Sequence, residues 1–201
     1  MRLRYDRDDK ELKAAIAFCD DLFQQDDFWT AVENDGPFTN TTISAKQIAD
    51  TMRSNPNIVD VHHFKPNLIH RIKYRSTVAM VDPKRAFKIF YHTKFLDNSI
   101  AQMVNTIVHE YVHVVDFFAD GDHRIEYSHN GQTRAGNARS APYAIGAIAE
   151  SFYRIANTSP QSMGVNKANK GLDGLNTLIG NSDFCGVDHD DMSLEDDEII
   201  S

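Results

Sequence analysis

Between Ser99 and Ala119 the chain repeats its apolar residues at a helical period, and this stretch limits the possible folds more than any other. Wound at about 100° per residue, Ile100, Met103, Val104, Ile107, Val108, Tyr111, Val114, Val115 and Phe118 fall on one broad side. Such a side has to face a core. Asn105, His109, His113 and Asp116 collect on the opposite side, where histidines have no packing reason to gather. Ser99 followed by Gln102 reads as a capping box that starts this helix, and Gly121 as its stop.

The polar side carries chemistry. His109-Glu110-Tyr111-Val112-His113 puts two imidazoles four residues apart, so that both can reach one ion at about 2.0 to 2.1 Å. Glu110 then stands beside the metal rather than on it. There it can take a proton from a zinc-bound water whose pKa has fallen to about 7, and later return it to a leaving amine. The expectation is a Zn2+-dependent hydrolase with His109 and His113 as ligands and Glu110 as base.

Length and charge set the surroundings. At 201 residues, with 41% hydrophobic and 25% charged residues, the chain suits one globular domain. No apolar run is long enough to cross a membrane, and the charged opening from Met1 to Lys10 lacks a secretory hydrophobic segment. The expected location is the cytoplasm, or outside the cell by a signal-independent route. The net charge is -8, and residues 183–201 hold eight acids with no lysine or arginine. That tail is expected to be a disordered, solubilising segment, or one that docks a partner or the cleft. No basic stripe with interleaved aromatics points to nucleic acid, so neither nucleic acid nor membrane is an expected partner of a monomer, and a peptide or protein substrate is expected only from the hydrolase reading and the resemblance given below. Cys19 reads as a buried apolar residue, and Cys19 and Cys185 do not make a zinc-ligand spacing.

Along the chain, residues 8–25 place Leu12, Ala15, Ile16, Cys19, Leu22 and Phe23 on one helix face, and Ser44 with Gln47 caps a second helix. Asp35-Gly36-Pro37 marks a loop between them. Ile58 to Val61 is a short strand candidate, and Leu68 to Tyr74 is ambiguous. Residues 77–81 and 86–91, joined by Asp82-Pro83-Lys84-Arg85, read as a hairpin placed just before the histidine helix. A strand edge there can hold an extended peptide by backbone hydrogen bonds. A last helix over 142–157 starts with Pro142 and has Ile145, Ile148, Ala149, Phe152 and Ala156 as its core stripe, with Tyr143, Glu150 and Arg154 on the other face. The pattern predicts an α+β fold in one domain over 1–182. N-terminal helices occupy 8–54, a sheet region 57–92 and metal-site helices 98–157, with the acidic tail over 183–201. His62, His63, His70, His92, His123 and His189 read as ordinary histidines.

The segment over about 75–157 resembles the zincin metallopeptidases, built around His-Glu-x-x-His on a helix packed against a small mixed sheet. The resemblance implies peptide-bond hydrolysis and a third protein ligand to zinc. Asp116 and Ala119 stand where the metzincin subgroup has Gly and His or Asp, which excludes it. Two candidates remain. His129, sixteen residues after His113, looks like the third ligand of SprT-type peptidases, although Asn130 interrupts their usual His-Gly. Glu150 is placed as in gluzincins, and Tyr143 seven residues before it is similar to the anthrax lethal factor group, where such a tyrosine assists catalysis. His129 is preferred because imidazole is the commonest ligand and histidine has little structural purpose in a Gly, Asn and Ser loop. Glu150 stays as the alternative, since its spacing to Arg154 equally suits a surface ion pair. Asp116 is the candidate to accept the free ring N–H of a ligand histidine, or else a solvated carboxylate.

Two other functions fit the same residues. One is a metal-stabilised binding module without hydrolysis, which requires a closed fourth zinc position. The other is a protease kept dormant by its acidic tail.

Overall fold

The computed structural model describes residues 2–68, 70–118, 125, 137–158, 194, 195 and 198–200. His129, Gly121, Cys185, His123 and His189 lie outside them, as does most of the acidic tail.

The described chain is α+β. Strand β1 (Arg2–Arg4) leads to α1 (Lys10–Leu22), α2 (Asp26–Asp35) and α3 (Ala45–Ser54). Strands β2 (Ile58–Phe64), β3 (Ala79–Val81) and β4 (Lys88–His92) follow, then a short 3-10 turn over Thr93–Phe95. The chain continues through α4 (Ile100–Phe118), α5 (Ala141–Asn157) and β5 (Ile199–Ile200).

The sheet is mixed. β2 pairs in parallel with β1 on one side and with β4 on the other, and β3 pairs antiparallel with β4 as the expected hairpin. Beyond the end of β1, β5 pairs antiparallel with the last residues of β2, His63 opposite Ile200 and Phe64 opposite Ile199. Among the described residues β3 therefore ends the sheet on the side away from β2.

The capping signals act where expected. Ser44 and Gln47 form the reciprocal box before α3, and Ser99 and Gln102 do the same before α4, with the Gln102 N–H donating to Ser99 Oγ at 3.4 Å. Helix α2 falls in a region with no predicted element. Phe28, Trp29 and Val32 give it a buried face, and the Trp29 indole donates to the Phe23 carbonyl at 2.9 Å. Cys19 is fully buried on α1.

Helix α4 is central rather than amphipathic at a surface. Its apolar side meets β3, β4 and α1, and α5 covers the other side. His109, His113 and Asp116 are consequently only 3%, 1% and 6% exposed, which corrects the alternative of a solvated carboxylate at Asp116. Gly146 explains how α5 comes so close: a Cβ there would lie 2.8 Å from the Asn105 carbonyl oxygen and 2.6 Å from its side-chain oxygen. Ile145, Ile148 and Ala149 are buried as the stripe requires, whereas Ala156 is exposed.

The acidic tail is also corrected at its end. Leu194 packs with Phe64, Tyr74, Met80 and Phe90, and Glu198 is fully buried, accepting from the Asn67 N–H at 3.0 Å and pairing with His70 Nδ1 at 2.9 Å. Charge counting misses this because it ignores Leu194 and Ile199, which supply the apolar contacts.

Candidate metal centre

One turn of α4 brings the Nε2 atoms of His109 and His113 to 3.1 Å from each other, with ring centroids 4.9 Å apart. Two nitrogens bound to one tetrahedral zinc at about 2.05 Å would be about 3.3 Å apart, so the pair is already spaced for a shared ion to within a few tenths of an ångström. The His113 ring lies nearly parallel to Phe117 at 6.3 Å, and the His109 ring meets Tyr143 edge-on at 4.6 Å and 86°. Tyr143 reaches this position because it stands in the first turn of α5, which runs antiparallel to α4.

Glu110 is the electrostatic anomaly of the helix. It is fully buried, and neither carboxylate oxygen has a hydrogen-bond partner among the described residues. Burial pushes its carboxyl up to about 8, since nothing nearby stabilises the charged form. An unmet buried carboxylate is costly, and a cation or a water beside it removes that cost. The two observations agree: the donor nitrogens fit zinc, and the neighbouring acid lacks the positive charge that zinc would bring.

Glu150 is not brought to the histidine pair. Its Oε2 accepts from Asn105 Nδ2 at 2.8 Å, and its Oε1 accepts from Arg154 Nε at 2.9 Å, so the ion pair that its spacing also allowed is the one that forms. It sits opposite Asn105, one turn of α4 before His109. Among the described residues no three His, Cys, Asp or Glu side chains gather into a metal-holding group. Asp116 is buried one turn beyond His113, inside the fold rather than solvated. His129, the preferred third ligand, belongs to the connection between α4 and α5, outside the described residues. Ile125 of that connection is fully buried, and its carbonyl accepts from Thr41 Oγ1 at 2.5 Å.

No family model, curated protein or solved structure matches this chain. No helix among the described residues is long and apolar enough to cross a membrane.

Sequence reasoning missed two residues that shape the site. Asn105 was visible on the histidine side, but its role in holding Glu150 depends on how α5 docks. Gly146 carried no local turn signal, and only the close approach of two helices explains it.

Proposed function

We propose that this protein is a zinc-dependent metallopeptidase of the His-Glu-x-x-His type, as its resemblance to the zincins implies. The observation that carries the reading is the 3.1 Å convergence of the two histidine nitrogens next to Glu110, a buried carboxylate with no hydrogen-bond partner among the described residues. His109 and His113 would hold the metal, with His129 as the third ligand. Glu150 is the weaker candidate because Asn105 and Arg154 already engage both of its oxygens.

Zinc held by His109 and His113 would supply Lewis acidity toward the scissile carbonyl and the attacking water. Glu110 would accept a proton from the attacking water and deliver it to the departing amine, once a cation beside it favours its charged form over the neutral form that burial alone favours. Tyr143, packed on His109, donates its hydroxyl to the carbonyl oxygen as negative charge builds there. Edge strand β3 offers its backbone to an extended substrate.

The test is zinc content per chain together with cleavage of a peptide library, for wild type and Glu110→Gln. Both proteins should hold stoichiometric zinc, and only the wild type should cleave, with the variant slower by about 10²-fold or more. Equal cleavage by both would rule out Glu110 as base, and absence of zinc would reduce the histidine pair to a packing feature. Alanine at His129 should abolish zinc retention, while alanine at Glu150 should leave stoichiometry unchanged.

A further inference from the structure

A basic groove lies at one end of the sheet. After β2 and β4, at their C-terminal ends, a groove of about 780 Å³ is lined by Lys65, Arg71, Arg75, Lys94 and the hydroxyl-bearing Ser76 and Thr93. Among the described residues no acidic side chain lines it. None of these four cations forms an ion pair among the described residues. Glu198, the buried acid of the neighbouring strand, is turned inward to Asn67 and His70. The groove is remote from the histidines: His109 lies nine residues into α4, about 14 Å along a helix that starts just past the groove.

The concentration of positive charge runs against the whole molecule. Residues 65–75 contain four lysines and arginines and no acid, in a chain of net charge -8. The same segment exposes Leu68 at 79% and Ile72, which also lines the groove, at 88%, the two most exposed large apolar side chains among the described residues. They are four residues apart on a turn of helical spacing, where the Arg71 N–H donates to the Asn67 carbonyl at 3.1 Å and the Tyr74 N–H to the His70 carbonyl at 2.9 Å. They therefore project together. The turn is anchored from below by the fully buried Tyr74.

We propose that this basic groove and its two protruding aliphatic side chains form a docking surface for a bilayer rich in anionic phospholipid. Headgroup phosphates are met by Lys65, Arg71, Arg75 and Lys94, and Leu68 and Ile72 enter the boundary between headgroups and acyl chains. Nucleic acid would satisfy the cations but leaves the aliphatic pair without a partner. Docking of this kind needs no spanning helix, so it is compatible with a chain that has no apolar run long enough to cross the membrane.

Sedimentation of the full chain with vesicles tests the proposal. Wild type should bind phosphatidylserine–phosphatidylcholine vesicles at low salt, lose binding as salt rises, and ignore pure phosphatidylcholine. Arg71→Gln with Arg75→Gln should weaken binding about 30-fold, at about fivefold for each charge near the surface. Leu68→Ser with Ile72→Ser should weaken it as well while keeping the salt dependence. All four positions are exposed, so melting temperatures should match wild type and exclude misfolding as the cause. The proposal is overturned by binding to neither vesicle type or equally to both. It is also overturned if the Leu68 and Ile72 variant binds as tightly as wild type and inositol hexakisphosphate displaces both proteins, which would make the groove a site for a soluble phosphate compound.

Discussion

Replacing Tyr143 by Phe separates two contributions that the tyrosine makes at once. The ring that meets His109 edge-on stays, and the hydroxyl goes. If the hydroxyl stabilises the developing oxyanion, kcat should fall about 10²- to 10³-fold with KM and zinc content little changed. Single-turnover kinetics on the best library peptide would measure this, and an unaltered rate would leave Tyr143 with packing alone. At this scale the sequence was informative about identity and weaker about environment. The four-residue spacing sufficed to place His109 and His113 together, because helix geometry alone dictates it. The burial of Glu110 was not legible, since it depends on what packs around α4 from distant parts of the chain. Glu150 could be read two ways: its pair with Arg154 is local to α5, whereas Asn105 reaches its other oxygen only through the docking of α5 on α4.

Between elements, the site depends on how closely α5 lies on α4. Gly146→Ala would place a methyl group against the Asn105 backbone, which cannot move without disturbing the turn that precedes His109. The expected cost is about 1 to 3 kcal/mol of stability, read from the denaturant midpoint. A weakened affinity for zinc should accompany it, because Tyr143 and His109 shift relative to each other. The long elements were legible from periodicity and caps: α1, α3, α4, α5 and the β3–β4 hairpin all follow patterns local to their own residues. The short ones were not. Strands β1 and β5, with three and two residues, are strands only because β2 offers hydrogen bonds to them. Helix α2 was passed over because its ten residues show little periodicity beyond Phe28, Trp29 and Val32.

For the molecule as a whole, the last described residues belong to the fold. Removing residues 194–201 would uncover Phe64, Tyr74, Met80 and Phe90, strip His70 and Asn67 of Glu198, and free Arg85 from the Leu194 carbonyl. A loss of about 2 to 4 kcal/mol is expected, visible as a lowered midpoint in denaturant. Truncation near Asn181 would therefore confuse inhibition by the tail with damage to the sheet. Exchanging Asp188, Asp190 and Asp191 for Asn keeps β5 in place, and faster cleavage by that variant would mark the acidic stretch as an inhibitor. The pairing of β5 with β2 also bears on the order of folding. Glu198 reaches Asn67 across 131 residues, so closing this contact carries one of the larger loop entropies in the molecule and belongs late in folding. Until then the end of β2 near Phe64 has an open edge, and a newly made or refolding chain passes through a period in which a strand of another copy can occupy the place reserved for its own last residues.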